Sequence, residues 1–83
     1  MKTKILLGSR LRQLRRHADL SQKQLGELLG ISNHAVCMIE KGNNRTTIDK
    51  LVLLAEYFHV STDYLLGITD DPAWRGAPLE EEL

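Results

Sequence analysis

The side chains with most chemistry to offer lie between Leu20 and Gly42. Leu25, Leu28 and Leu29 recur at helical spacing before Gly30, and Val36 and Ile39 do so after it. Asn33, His34, Cys37 and Met38 therefore fall off the second apolar stripe. An amide, an imidazole, a thiol and a thioether on one short helix offer hydrogen bonds and apolar contact. They do not offer catalysis: none of His17, His34 and His59 stands at a recognisable spacing from a serine or cysteine and a carboxylate. One cysteine with three scattered histidines has no metal-ligand spacing, and no glycine-rich phosphate loop occurs. The expectation is recognition, with no enzyme activity, cofactor or metal.

Five short helices must position these groups. Ile5, Leu7, Leu11 and Leu14, with Ala18, approximate an inward stripe on a first helix, roughly 5–17. Ser21 is a good N-cap for a second helix of about eight residues, and Gly30 can adopt positive φ and end it. Small Gly26 would let the third helix cross closely over the second. Ile31 is an apolar plug, Ser32 caps the third helix and Gly42 ends it. Asn43 to Thr46 form a polar loop. Thr47 caps a fourth helix with Ile48, Leu51, Leu54, Ala55 and Phe58 inward, and Ser61 or Thr62 caps a short fifth that ends near Gly67. Two short helices with a tight turn between them, the second presenting its N-terminal and outer residues, suit insertion into the DNA major groove.

Charge supports a polyanionic partner. Residues 1–45 carry nine Lys or Arg against three acids, a net +6, while residues 46–83 carry two against eight, a net −6. One end can face a polyanion while the other is turned away. At 83 residues the chain is one small domain, with little room for an enclosed substrate cavity. Its apolar runs are far shorter than the roughly 20 residues that span a bilayer, so a soluble, cytoplasmic protein without a membrane partner is expected. Residues 1–67 are expected to form the domain and 68–83 an acidic tail, in which Trp74 and Leu79 can dock on a neighbouring surface.

At this point the chain resembles the phage-repressor and Cro-like helix-turn-helix family, often called the XRE family. The resemblance rests on Gly8, Leu11, Leu14 and Arg15; Leu20-Ser21-Gln22; Leu29-Gly30-Ile31-Ser32; Ile39-Glu40-Lys41-Gly42; and Leu54-Ala55 with Val60 to Gly67. It covers about residues 5–67 and implies an all-α, five-helix lambda-repressor-like domain. Gln22 resembles the family glutamine that hydrogen-bonds a DNA phosphate, and its amide donates without net charge. Ser32, Asn33, His34 and Met38, with Cys37 beside them, occupy the base-reading positions. Asn33 can pair with adenine, His34 can donate to guanine or a phosphate, and Met38 can pack on a thymine methyl. No Arg or Lys is present there to take guanine bidentately.

Arg15 and Glu40 resemble the family pair that ties the first helix to the end of the third. Asn43, Asn44 and Arg45 would meet the DNA backbone or the minor-groove edge. Arg10, Lys23 and Lys41 are further phosphate candidates, with Gln22, Lys23, Lys41 and Arg45 expected to cluster around the third helix. A family proline is often found where Thr46 stands. The resemblance implies a transcriptional regulator, a repressor that binds a two-half-site operator in double-stranded DNA as a homodimer. Dimerisation is expected through the fifth helix and the region after it, with the apolar residues beyond one inward stripe (Val52, Leu53 and Tyr57 on the fourth helix, with Tyr64, Leu66 and Trp74) as the dimer surface. The alternative is an antitoxin-like or other helical interaction module that engages a protein partner through the fourth helix and the acidic tail.

Overall fold

A computed structural model describes residues 5–74 and 76, which form α1 (Leu7–His17), α2 (Gln22–Leu29), α3 (Asn33–Glu40), α4 (Ile48–Phe58) and α5 (Thr62–Leu66). Arg75 and the tail residues Pro78, Leu79 and Glu80 to Glu82 lie outside the described residues. No strand occurs among the described residues.

Four of the five helix starts are closed by a hydroxyl. Ser21, Ser32, Thr47 and Ser61 each accept a backbone N–H from three residues ahead, at 3.0 to 3.2 Å. Each such cap stabilises by about 1 kcal/mol. Ser61, rather than Thr62, caps α5. At Ser21 the contact is reciprocal, because its own N–H donates to Gln24 Oε1 at 2.8 Å and completes a capping box.

The start of α1 has no side-chain cap and falls two residues later than expected. There the Leu6 N–H donates to the Leu66 carbonyl at 3.1 Å, so this stretch closes the end of α5 instead of extending α1. Ile5 is consequently outside the helix and 53% exposed, and Ala18 is an exposed C-cap; neither belongs to the inward stripe.

The core collects Leu7 and Leu11 from α1, Leu25 and Leu29 from α2, Val36 and Ile39 from α3, Leu54 and Ala55 from α4, Val60, and Leu65 from α5. Leu14, Leu51 and Phe58 pack at its edge. Ile48 departs from the expected stripe and is 79% exposed. It is the first residue of α4 and lines an open groove, where no helix covers it.

Two glycines set how closely α3 is held. A Cβ on Gly26 would lie 2.6 Å from the Ile31 carbonyl oxygen and 3.2 Å from the Ser32 carbonyl carbon, so a bare residue in α2 admits the chain entering α3. A Cβ on Gly8 would lie 2.5 and 2.7 Å from the Ile39 and Glu40 carbonyl oxygens at the other end of α3. Backbone cannot swing aside as a side-chain tip can. Gly8→Ala is therefore expected to cost about 3 kcal/mol, the upper part of the overpacking range, read as a lower denaturant midpoint at unchanged slope. A loss below about 0.5 kcal/mol would show that α1 can slide off α3 freely.

Beyond α5 the chain folds back as far as Trp74. The Ser61 N–H donates to the Pro72 carbonyl at 3.2 Å, and Trp74 stacks on His59 with centroids 5.2 Å apart. Trp74 also packs against the core, so the described part of the acidic segment is fastened to its own domain.

Candidate nucleic-acid interface

The arginines of α1 divide by role. Arg10 was a phosphate candidate, but its guanidinium donates at 2.6 Å each to the carbonyls of Tyr64 and Thr69 and to Asp70 Oδ1. It also lies 4.2 Å from the centroid of the Tyr64 ring. With its side chain 12% exposed and three of its N–H donors engaged by α5 and the segment after it, Arg10 clamps that segment to α1, a structural role that competes with phosphate contact.

Arg15 turns toward α3. Its Nε donates to Glu40 Oε2 at 2.6 Å, its Nη2 to Glu40 Oε1 at 3.0 Å and its Nη1 to the Leu20 carbonyl at 2.9 Å. The side chains are 11% and 3% exposed, so this bidentate pair is largely desolvated. Hydrogen bonding to Glu40 raises the Arg15 pKa, burial opposes this, and the carboxylate charge adds to the rise. Gln22, half-buried at the first position of α2, donates from Nε2 to Glu40 Oε1 at 3.1 Å.

Around this pair is an open groove lined by Arg12, Arg15, Arg16, Ser21, Gln22, Lys23, Asn33, Cys37, Glu40 and Lys41. The expected cluster of Gln22, Lys23 and Lys41 is thus brought together with Asn33 and Cys37. Arg12 and Arg16 are additions that sequence reasoning missed. Both are exposed and neither enters an ion pair among the described residues. Their i, i+4 spacing was legible; what they border was not.

The remaining candidates lie around α3. Ser32 and His34 are exposed, and Met38 is half-buried. The Ser32 hydroxyl oxygen is occupied by the cap to Ala35. The Met38 carbonyl accepts the N–H groups of Asn43 at 3.0 Å and Asn44 at 3.3 Å, which folds the loop back onto the end of α3. Asn43, Asn44 and Arg45 line a second groove with Ile5, Ile48 and Leu66, so Arg45 does not join Gln22, Lys23 and Lys41. In the same loop Thr46 Oγ1 is buried without a hydrogen-bond partner among the described residues.

This layout, with α3 packed across α2 behind a capped turn and a basic groove at their joint, matches a known pattern. A family model described as helix-turn-helix matches residues 11–65. The chain belongs to the helix-turn-helix family. Among curated helix-turn-helix proteins it is 46% identical over 63 residues to the uncharacterized HTH-type transcriptional regulator YobD of Bacillus subtilis, covering 76% of this chain and 56% of YobD. It therefore spans about half the length of that relative. Among solved structures, the P22 c2 repressor in complex with synthetic operator 9T is 33% identical, with a TM-score of 0.68 over 74% of this chain and 92% of that one. A transcriptional regulator from Listeria innocua is 26% identical, with a TM-score of 0.75 over 95% of this chain and 68% of that one. No helix among the described residues is long and apolar enough to cross a membrane.

Proposed function

We propose that this chain is a DNA-binding transcriptional regulator of the helix-turn-helix family that acts as a repressor in the cytoplasm. The observation that carries the reading is the basic groove: Arg12, Arg16, Lys23 and Lys41 line it together with Gln22 of α2 and Asn33 of α3. Cations and an amide at that joint suit the phosphates, while the exposed first turn of α3 suits base edges in the major groove. The operator-bound P22 c2 repressor, which shares this fold, supports the same reading. Obstruction of polymerase at an occupied site would be the means of repression.

Backbone and base contacts separate by mutation. Gln22→Ala is expected to weaken all DNA sequences alike. Asn33→Ala or Met38→Ala should relax preference at particular positions, by about 1–3 kcal/mol per base pair. Titration against variant operators decides this, and equal loss on every sequence from Asn33→Ala would remove α3 from base reading.

Binding as a homodimer to two half-sites is part of the proposal. Of the six apolar candidates, Tyr64 and Trp74 pack against their own core and Leu66 is half-buried beside the second groove. The surplus that motivated a dimer narrows to Val52, Leu53 and Tyr57 on α4, which are 43%, 37% and 48% exposed. Sedimentation is expected to show a dimer at tens of micromolar protein, with or without operator. A monomer under both conditions would leave this face to a different protein partner.

A further inference from the structure

A buried carboxylate at a phosphate-binding groove is unexpected, because its charge opposes the ligand. Glu40 is only 8% exposed and borders that groove, yet three donors converge on its two oxygens: Arg15 Nε, Arg15 Nη2 and Gln22 Nε2. Arg15 offsets the charge, so Glu40 can act as an acceptor without repelling phosphate strongly. We infer that Glu40 is a positioning residue for DNA binding: it holds the Gln22 side chain so that the second amide N–H is aimed at the DNA backbone.

The physical basis is pre-organisation. A free glutamine side chain loses rotamer freedom when it is immobilised, and a ligand that must do the immobilising binds more weakly. Gln22 Nε2 has two N–H donors, of which Glu40 takes one. Because the Arg15 fork fixes the carboxylate itself, the hold on Gln22 comes from a rigid base rather than from a mobile surface acid. Asn33, the other side-chain amide lining the groove, is exposed and has no such carboxylate partner among the described residues. Gln24 bonds through its oxygen to the Ser21 N–H, and Gln13 is exposed on α1.

This inference rests on the reading of Gln22 as a backbone contact, and a double-mutant cycle separates the two. Arg15→Met/Glu40→Met removes the acceptor without leaving either charge buried alone, a replacement that folded proteins commonly tolerate. Operator affinity is measured for the parent and this background, each with and without Gln22→Ala, at a temperature where all four are folded. The expected loss from Gln22→Ala is about tenfold in the parent, equivalent to about 1.4 kcal/mol, and less than twofold in the background. A tenfold loss in both would overturn the positioning role while leaving Gln22 on the DNA. No loss in the parent would overturn both the role and the contact.

A second readout needs no DNA. In the free parent, NMR relaxation should show the Gln22 side-chain amide to be nearly as rigid as the backbone and the Gln13 amide to be mobile. Equal mobility of the two amides would also overturn the inference.

Discussion

Glu40→Ala is expected to lower stability by about 3–5 kcal/mol, the range for breaking a buried pair from one side. The variant strands Arg15, whose side chain is only 11% exposed in the intact pair, with the Leu20 carbonyl as its remaining hydrogen-bond acceptor among the described residues. An exposed pair would cost 0–1 kcal/mol, so denaturant melts discriminate cleanly. A loss below about 0.5 kcal/mol would mean that the pair is superficial. The effect should be flat across neutral pH on the arginine side. Because the folded Arg15 pKa is raised above an already alkaline ordinary value, its contribution is fully present below that value. It fades only as pH climbs through the still higher folded one. Arg15→Met/Glu40→Met should recover most of the loss, since neither charge is then stranded.

The second large effect is on salt dependence. Replacing Arg12, Arg16, Lys23 and Lys41 together by Gln should reduce the slope of log affinity against log salt by about 0.9 per phosphate contact, or roughly three to four units in all. Folding should not suffer. Arg12 and Arg16 are like charges at i, i+4, and separating such a pair relieves about 0.2–0.5 kcal/mol. Arg10→Gln should do the reverse, leaving the slope unchanged and costing stability, because its donors hold Tyr64, Thr69 and Asp70. An unchanged slope in the fourfold variant would take the groove off the DNA backbone, and a reduced slope from Arg10→Gln would return that residue to the phosphate set.

The contrast between Arg10 and Arg12 shows where sequence reading stops. Both lie outside the apolar stripe of α1, and periodicity cannot choose between them. Arg10 is drawn in by carbonyls 54 and 59 residues away and by Asp70, 60 residues away, which no local pattern reveals. Arg15 could be assigned because a family resemblance named its partner, Glu40. Caps were legible because each is a single hydroxyl acting on N–H groups within the next turn, as at Ser21, Ser32 and Thr47. The turn at Gly30 was legible for a similar reason, its φ of +73° being a conformation that glycine adopts without strain.

Ile48 shows the opposite case. A helical wheel gives a residue's angle around α4 but not how far the neighbouring elements extend along it, so its exposure was hidden. Trp74 hinted that the tail would dock somewhere. Its partner, His59, is held at the end of α4 by a left-handed backbone that only the fold defines.

Selection of bound sequences from a random pool of double-stranded DNA tests the central claim most directly. Insertion of α3 into the major groove by a two-fold symmetric dimer predicts enrichment of one motif with two related half-sites, their centres about 10–10.5 base pairs apart. Asn33→Ala should then blur the motif at specific positions within each half-site. Recovery of no motif from a pool that the folded protein has been shown to contact, or no retention of DNA at all, would contradict the account and leave the exposed face of α4 as the functional surface.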